Sequence, residues 1–352
     1  MENCIFLTGG GTAGHTTLNI KLQSELYKNF NKIIYVGSRN GIEKELIKNN
    51  TSYCYEEITT VKLNRSKIFS NLAIPFKLNK SIKECINLIK KYKPQVIFSK
   101  GGYVGLPVTI AGSKMNVPVI CHESDLSMGL ANKLAKKYAK VICTNFKKTA
   151  KLDKKKCKYT GMPIKNSNLT KIQAKEKLKI KTDKPILLVT GGSLGAKPLN
   201  EFIFSNLDEI CETFFVVHLT GKNNINKNLT NNNYMQIEFS NDMPTIFRAS
   251  DYALSRAGAN TCIELLSNNI LTIFVPLPKK ASRGDQIENS KHLSEKKLCT
   301  MLNQNNLNIN TFYEKIKFLK NNSKFINNNI KNENIVDGTN KIISIILNNK
   351  LN

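Results

Sequence analysis

The chain has 352 residues, of which 41% are hydrophobic, and a formal net charge of +27 at pH 7. That length exceeds what one core usually serves and points to two domains. No apolar run approaches the ~18 residues of a spanning helix, which excludes an integral membrane protein of helical type. The nine cysteines are scattered, with no C-x-x-C pair, which excludes a zinc knuckle and reads as reduced thiols in a reducing compartment. The charge alone suggests nucleic acid or an anionic membrane surface. Its distribution is uneven: residues 1–160 carry a net +18 and residues 161–352 a net +9.

The first seven residues read as a buried strand rather than a secretory leader, so the chain is expected to stay on the cytoplasmic side. Apolar runs alternate with amphipathic segments throughout, the pattern of parallel α/β architecture. In the first half strands are predicted near 3–8, 32–36, 95–98, 117–121 and 140–144. Helices are predicted at about 15–29, 41–49, 76–92, 104–115 and 127–138.

The first strand runs directly into Gly9-Gly10-Gly11-Thr12-Ala13-Gly14-His15. Gly9, Gly11 and Gly14 satisfy G-x-G-x-x-G, so a dinucleotide fingerprint has to be weighed. The second strand ends in Ser38-Arg39, with no acid for a ribose but a cation suited to a 2′-phosphate, which leaves an NADP enzyme open. The bland alternative is a tight turn that needs glycine only for its backbone. His15 follows this loop. Imidazole, with an ordinary pKa of about 6.5, suits the removal of a proton from a hydroxyl at neutral pH. A lone histidine that caps or packs locally is the competing reading.

Residues 62–80 mix apolar side chains with five cations and no acid. Lys62, Arg65, Lys67, Ile68, Phe69 and Leu72 are the candidate membrane contacts, combining apolar insertion with attraction to anionic lipid. A loop and helix packed on the domain is the alternative. Another glycine loop, Gly101-Gly102-Tyr103, follows the strand at 95–98, and His122-Glu123-Ser124-Asp125 follows the strand at 117–121.

The charged stretch 151–158 lacks periodicity and, with the Gly161-Met162-Pro163 turn after it, reads as the end of one domain and a hinge. A short helix is predicted at 171–178, with strands near 185–190, 213–219, 235–239, 251–254 and 271–275. Helices are predicted after Gly195, near Met243, after Gly258 and after Asp285. The Asn-rich stretches 223–233 and 303–310 read as surface loops. The apolar tail 336–347 reads as a docking helix. The loop Gly191-Gly192-Ser193-Leu194-Gly195 repeats the design of the first one, and Ser193 with the amides of Leu194 and Gly195 is expected at a helix N-terminus, where a diphosphate is favoured.

Eight collinear segments, TGGGTAGH, SKGGYVGLP, HESDLSMGLANKLA, TGMPI, VTGGSLGAKPLN, EFSNDM, SRAGANTCIELL and VPLPKKASRGDQIENS, cover nearly the whole length and resemble the MurG family of glycosyltransferases. The resemblance implies an α/β GT-B fold, two Rossmann-like domains with parallel sheets facing a cleft. Its implied domains are 1–160 (acceptor and membrane side), 161–335 (UDP-sugar donor side) and a C-terminal helix, 336–352, returning to the first. It implies inverting transfer of N-acetylglucosamine from UDP-N-acetylglucosamine to the lipid I muramoyl sugar, making lipid II. No cofactor and no metal are implied.

The implied partners are the donor, lipid I, the anionic inner face of the cell membrane as a peripheral site, and a cell-wall synthesis complex. Nucleic acid is not among them. The implied catalytic residues are His15 and Asp125. Donor contacts fall to Gly11, Thr12, Ala13, Gly14, Lys165, Ser193, Leu194, Gly195, Ser240, Ala259, Asn260, Thr261, Glu264, Asp285, Gln286 and Asn289, with Glu264 on the ribose hydroxyls and Gln286 on the sugar. The acceptor side comprises Gly101, Gly102, Tyr103, His122 and Glu123, with a core histidine the competing reading for His122. Two departures stand out. Leu18 replaces a usual proline three residues after His15, and Lys165 replaces the usual arginine, keeping the charge but losing the planar fork.

Overall fold

A computed structural model of the chain describes residues 3–60, 74–280 and 282–351. The candidate membrane contacts Lys62, Arg65, Lys67, Ile68, Phe69 and Leu72 lie outside the described residues. The chain divides into two compact units, Met1–Ile164 with Val336–Asn352, and Lys165–Ile335.

In the first unit the strands are β1 (Cys4–Thr8), β2 (Lys32–Ser38), β3 (Cys54–Ile58), β4 (Val96–Ser99), β5 (Val119–Glu123), β6 (Val141–Thr144) and β7 (Cys157–Tyr159). They form one parallel sheet in the order β3-β2-β1-β4-β5-β6-β7. Central strands of such a sheet are covered on both faces, so β1 and β4 are buried at every residue and read as continuous apolar runs. Helix α1 (Ala13–Lys21) is followed by α2 (Gln23–Asn29), where one helix over 15–29 is predicted. The break at Leu22 leaves Leu18, Leu22 and Leu26 on one fully buried stripe.

Helix α3 (Ile42–Asn50) follows β2, and α4 (Ile74–Tyr92) buries Ile82, Cys85 and Ile89 while Lys80, Lys83 and Lys90 stay outside. Each such isoleucine contributes about 2 kcal/mol by leaving water. Helix α5 (Gly102–Lys114) is buried nearly all round, with Val104, Val108 and Ala111 at 0% exposure. Strand β5 begins two residues later than predicted because Pro118 has no N–H to give the ladder. Its neighbour α6 (Leu130–Ala135) is much shorter than the predicted 127–138. After β6 comes α7 (Lys147–Ala150).

The stretch 151–158 does not read as a hinge in the structure. Asp153 Oδ1 accepts from the amides of Lys155 and Lys156, both at 3.1 Å, and the chain then enters β7 beside β6.

The second unit holds α8 (Lys171–Lys177), β8 (Ile186–Thr190), α9 (Lys197–Ser205), α10 (Leu207–Thr213), β9 (Phe215–Leu219), β10 (Tyr234–Ile237), α11 (Met243–Ala249), β11 (Tyr252–Ser255), α12 (Ala259–Ser267), β12 (Leu271–Phe274), α13 (Asp285–Glu295), β13 (Thr300–Met301), α14 (Ile309–Asn321) and α15 (Ser323–Glu333). Its parallel sheet has the order β10-β9-β8-β11-β12-β13. Helix α14 buries Phe312, Ile316 and Leu319, a clear i, i+4, i+7 stripe.

The last helix, α16 (Thr339–Leu347), belongs to the first unit. It buries Ile342, Ile343 and Ile346, and its approach is fixed by Asp337 Oδ1, which accepts from Ile164 N at 3.0 Å. Among the described residues no helix is long and apolar enough to cross a membrane.

Candidate active site

In the first unit the strand order reverses between β1 and β4, the place where open α/β sheets take ligands beyond the carboxyl ends of their strands. Both loops that leave this point are glycine-rich, and they interlock. A Cβ on Gly102 would lie 2.3 Å from Gly10 O and 3.3 Å from His15 Nδ1, so only glycine lets the α5 loop lie against the α1 loop. Gly101 and Gly102 also have φ of +85° and +76°, the left-handed region. A Cβ on Gly11 would come 2.4 Å from Tyr103 Cε1, which places the Tyr103 ring against that glycine.

His15 is the third residue of α1 and half-buried. Its Nδ1 lies 3.0 Å from Thr12 Oγ1. With Nδ1–H donating to that hydroxyl, Nε2 keeps the lone pair a general base needs. Of the expected donor contacts Gly11 to Gly14, the first has its amide engaged within the protein. The Gly11 amide donates to Glu43 Oε2 at 3.2 Å, so a carboxylate holds the N–H that a phosphate would require. This also removes support from the dinucleotide reading.

The β5 end carries the HESD residues. His122 is fully buried, donates through Nε2 to Gly161 O at 3.1 Å, and is held well below the usual imidazole range by burial and then by the Lys100 charge. Glu123, 5% exposed, accepts from Asp125 N at 3.0 Å, Gly129 N at 2.8 Å and Asn132 Nδ2 at 3.0 Å. Both were expected on the acceptor side. Both are buried, and Asp125, in the loop that Glu123 holds, is half-buried.

Lys100 is buried too, and burial pulls its pKa down; its ammonium donates to Ser124 Oγ. Sequence reasoning missed both Glu43 and Lys100. The signal for Lys100 lay beside the quoted glycine loop.

In the second unit the strand order reverses between β8 and β11. The glycine loop at the end of β8 is a closed turn, with Gly195 N donating to Gly192 O at 2.9 Å. Helix α9 starts only at Lys197, with Ala196 at its N-cap position and no side-chain cap. Ser193 and Leu194 therefore precede the helix, and the Gly195 amide is spent inside the turn, which corrects their placement at a helix N-terminus. Leu194 is 75% exposed.

Gly195, at φ +74°, would set a Cβ 1.9 Å from Thr220 O, so no other residue fits. That carbonyl is in turn held by Asn200 Nδ2 at 2.9 Å. Asn200 Oδ1 accepts from His218 Nε2 at 3.0 Å, and His218 Nδ1 accepts from Tyr234 Oη at 2.8 Å. Burial pulls His218 down to about 4. This network under the loop is a second feature that the sequence did not disclose.

Ala259, Asn260 and Thr261 form the first turn of α12, and Glu264 lies half-buried further along it. Asp285 opens α13, with Arg283 Nε 3.5 Å from its carboxylate. Gln286 Oε1 accepts from Leu277 N at 3.1 Å, which leaves its NH₂ end as the donor for a ligand.

Asn289 was expected at the donor. It is fully buried and donates to Ala257 O at 3.3 Å, so it shapes the turn before α12. Buried Arg256 acts similarly, donating to Val275 O at 2.9 Å and Gln304 Oε1 at 2.6 Å. Ser240 Oγ accepts from Asp242 N at 3.1 Å, and Lys165 is exposed.

Residues 5–144 match the glycosyltransferase family 28 N-terminal domain and residues 186–343 the glycosyltransferase family 28 C-terminal domain. The chain is 41% identical over 348 residues, 97% of each chain, to a UDP-N-acetylglucosamine--N-acetylmuramyl-(pentapeptide) pyrophosphoryl-undecaprenol N-acetylglucosamine transferase of Clostridium botulinum. It is 42% identical over 351 residues, 98% of each chain, to the protein of the same name from Clostridium tetani. Among solved structures, MurG of Acinetobacter baumannii superposes with a TM-score of 0.74 at 24% identity, covering 98% of this chain and 99% of that one, a likeness in fold. The chain belongs to the MurG family of N-acetylglucosaminyltransferases, within glycosyltransferase family 28.

Proposed function

We infer that this chain transfers N-acetylglucosamine from UDP-N-acetylglucosamine to the muramoyl sugar of an undecaprenyl-diphosphate-linked acceptor, the step that makes lipid II. Near-full-length identity of 41–42% to transferases of that name supports the reaction. The observation that carries the mechanism is His15, held through Nδ1 by Thr12 beside two interlocked glycine loops.

The acceptor hydroxyl attacks the anomeric carbon as His15 Nε2 takes its proton, and UDP leaves, inverting the centre in one displacement. Asp125 orients the acceptor from the loop that Glu123 holds. In the donor unit, the Glu264 carboxylate accepts from the ribose hydroxyls, and the Gln286 amide meets the sugar. Lys165 and the turn at Ser193 to Gly195 serve the diphosphate, where a cation favours departure of the charged leaving group.

The acceptor is a lipid, so the protein has to visit a membrane surface. Phe76 on α4 is 82% exposed, and the exposed Lys77 and Lys80 lie beside it in sequence. An apolar side chain among cations fits peripheral attachment to the anionic cytoplasmic face. The test is product analysis: mass spectrometry after incubation with UDP-N-acetylglucosamine and a lipid I analogue. A mass gain of one N-acetylhexosamine on the acceptor is expected, and hydrolysis or epimerisation of the donor without that gain would refute the reading.

A further inference from the structure

We propose that Glu43 is a positioning residue for catalysis, a buried carboxylate that fixes the glycine loop on which His15 is mounted; this rests on His15 acting as the base. Glu43 is the second residue of α3 and is fully buried. One oxygen accepts from Ser38 N at 3.1 Å and from Ser38 Oγ, and the other accepts from Gly11 N at 3.2 Å. Its neighbours in sequence, Arg39 and Lys44, pair elsewhere, with Glu84 and Glu57. The carboxylate is thus compensated by charge-assisted hydrogen bonds from neutral donors, an arrangement that fixes direction as well as energy.

The surrounding sequence is shaped to receive it. A Cβ on Gly10 would lie 2.6 Å from Glu43 Cδ, and one on Gly41 would lie 2.3 Å from the carboxylate oxygens. Two glycines, one in each loop, make room for this single side chain. Tyr35, donating to Gly9 O at 2.5 Å, pins the other side of the same loop.

The consequence for catalysis runs through one residue. Gly11, held by Glu43, is followed by Thr12, the extended cap of α1, whose hydroxyl orients the His15 ring. Releasing Gly11 frees the peptide that sets Thr12, and the imidazole loses its aim. Glutamine isolates this link. Its carbonyl oxygen can keep Ser38, and its NH₂ then confronts the Gly11 N–H, donor against donor.

The test is a double-mutant cycle on UDP release with UDP-N-acetylglucosamine and a lipid I analogue, using wild type, E43Q, H15A and the double variant. E43Q is expected to lower kcat about tenfold, the effect of misaiming one catalytic group, with donor KM unchanged. In the H15A background it is expected to cost nothing further, because the group it aims is gone. A wild-type kcat for E43Q, or a loss that multiplies that of H15A, overturns the proposal. Full activity of H15A instead identifies failure of the base assignment.

Thermal unfolding of each variant checks folding. If E43Q does not fold, S38A, which removes one donor to the same carboxylate, carries the cycle. A kcat lowered at least twofold, and not lowered further with H15A, supports the proposal, and a wild-type kcat overturns it.

Discussion

The two glycine loops share a sequence design and differ in use. In the first unit the loop after β1 wraps a buried carboxylate, abuts a second loop through Gly102, and enters a helix within four residues of Gly9. In the second unit the loop after β8 closes on itself through Gly192 and Gly195, reaches its helix only at Lys197, and leaves Leu194 exposed. The first is a rigid mount for a side chain. The second is a closed turn whose outer edge, at Leu194, is exposed. A glycine-rich motif fixes a backbone path, and the groups that occupy its amides decide whether that path binds anions.

The largest effect expected from this contrast is at the mount. His15→Ala should lower kcat by about 10²- to 10⁴-fold, the usual range for a general base, with donor affinity retained. At the closed turn, Gly195→Ala should act on the donor instead. The added Cβ meets Thr220 O, so the turn has to move and UDP affinity should fall about tenfold or more, measured by calorimetric titration. Equal loss of donor affinity in both variants would erase the distinction between the loops.

Glu264→Ala should raise donor KM about tenfold through loss of charged hydrogen bonds to the ribose while leaving acceptor KM in place. An unchanged KM would move the ribose contact elsewhere.

The smallest expected effect is on stability and belongs to the network under the second loop. His218 is neutral in the folded state down to about 4, whereas the unfolded chain binds its proton near the ordinary value. The unfolded state therefore gains protons first as pH falls, and stability should decline from about pH 6.5 to pH 4, by roughly 3 kcal/mol at most from this group. His218→Gln should flatten that part of the profile, read as unfolding midpoints against pH. An unchanged slope would show that other groups cause it.

Much of this was legible in the sequence because buried parallel strands are continuous apolar runs: β1, β4 and β8 stand out as such. Three edge strands do not. Strand β3, with Tyr55, Glu56 and Glu57, is polar on an exposed edge, β7 sits among lysines, and β13 is two residues long, too short for any period. Helix α14 was hidden by its asparagines, although Phe312, Ile316 and Leu319 keep a helical spacing.

The glycine loops and His15 were legible for a similar local reason, since the turn and the residue it presents are contiguous. Glu43 was not, because it reaches Gly11 across 32 positions and nothing near it marks it as more than a helix-starting acid. The same holds for His218, whose partners Asn200 and Tyr234 come from a different helix and strand. His122, Glu123 and Asn289 run in the other direction. Their places in motifs suggest contact with substrate, and the structure buries all three.

The most direct test of the central claim is steady-state UDP release by wild type and His15→Ala, with UDP binding to both measured by calorimetry. The account predicts a collapse of kcat in the variant with UDP affinity within about twofold of wild type, the separation expected when only a transition-state contact is lost. A variant that releases UDP at the wild-type rate, or that loses UDP affinity in proportion to its rate, would contradict it.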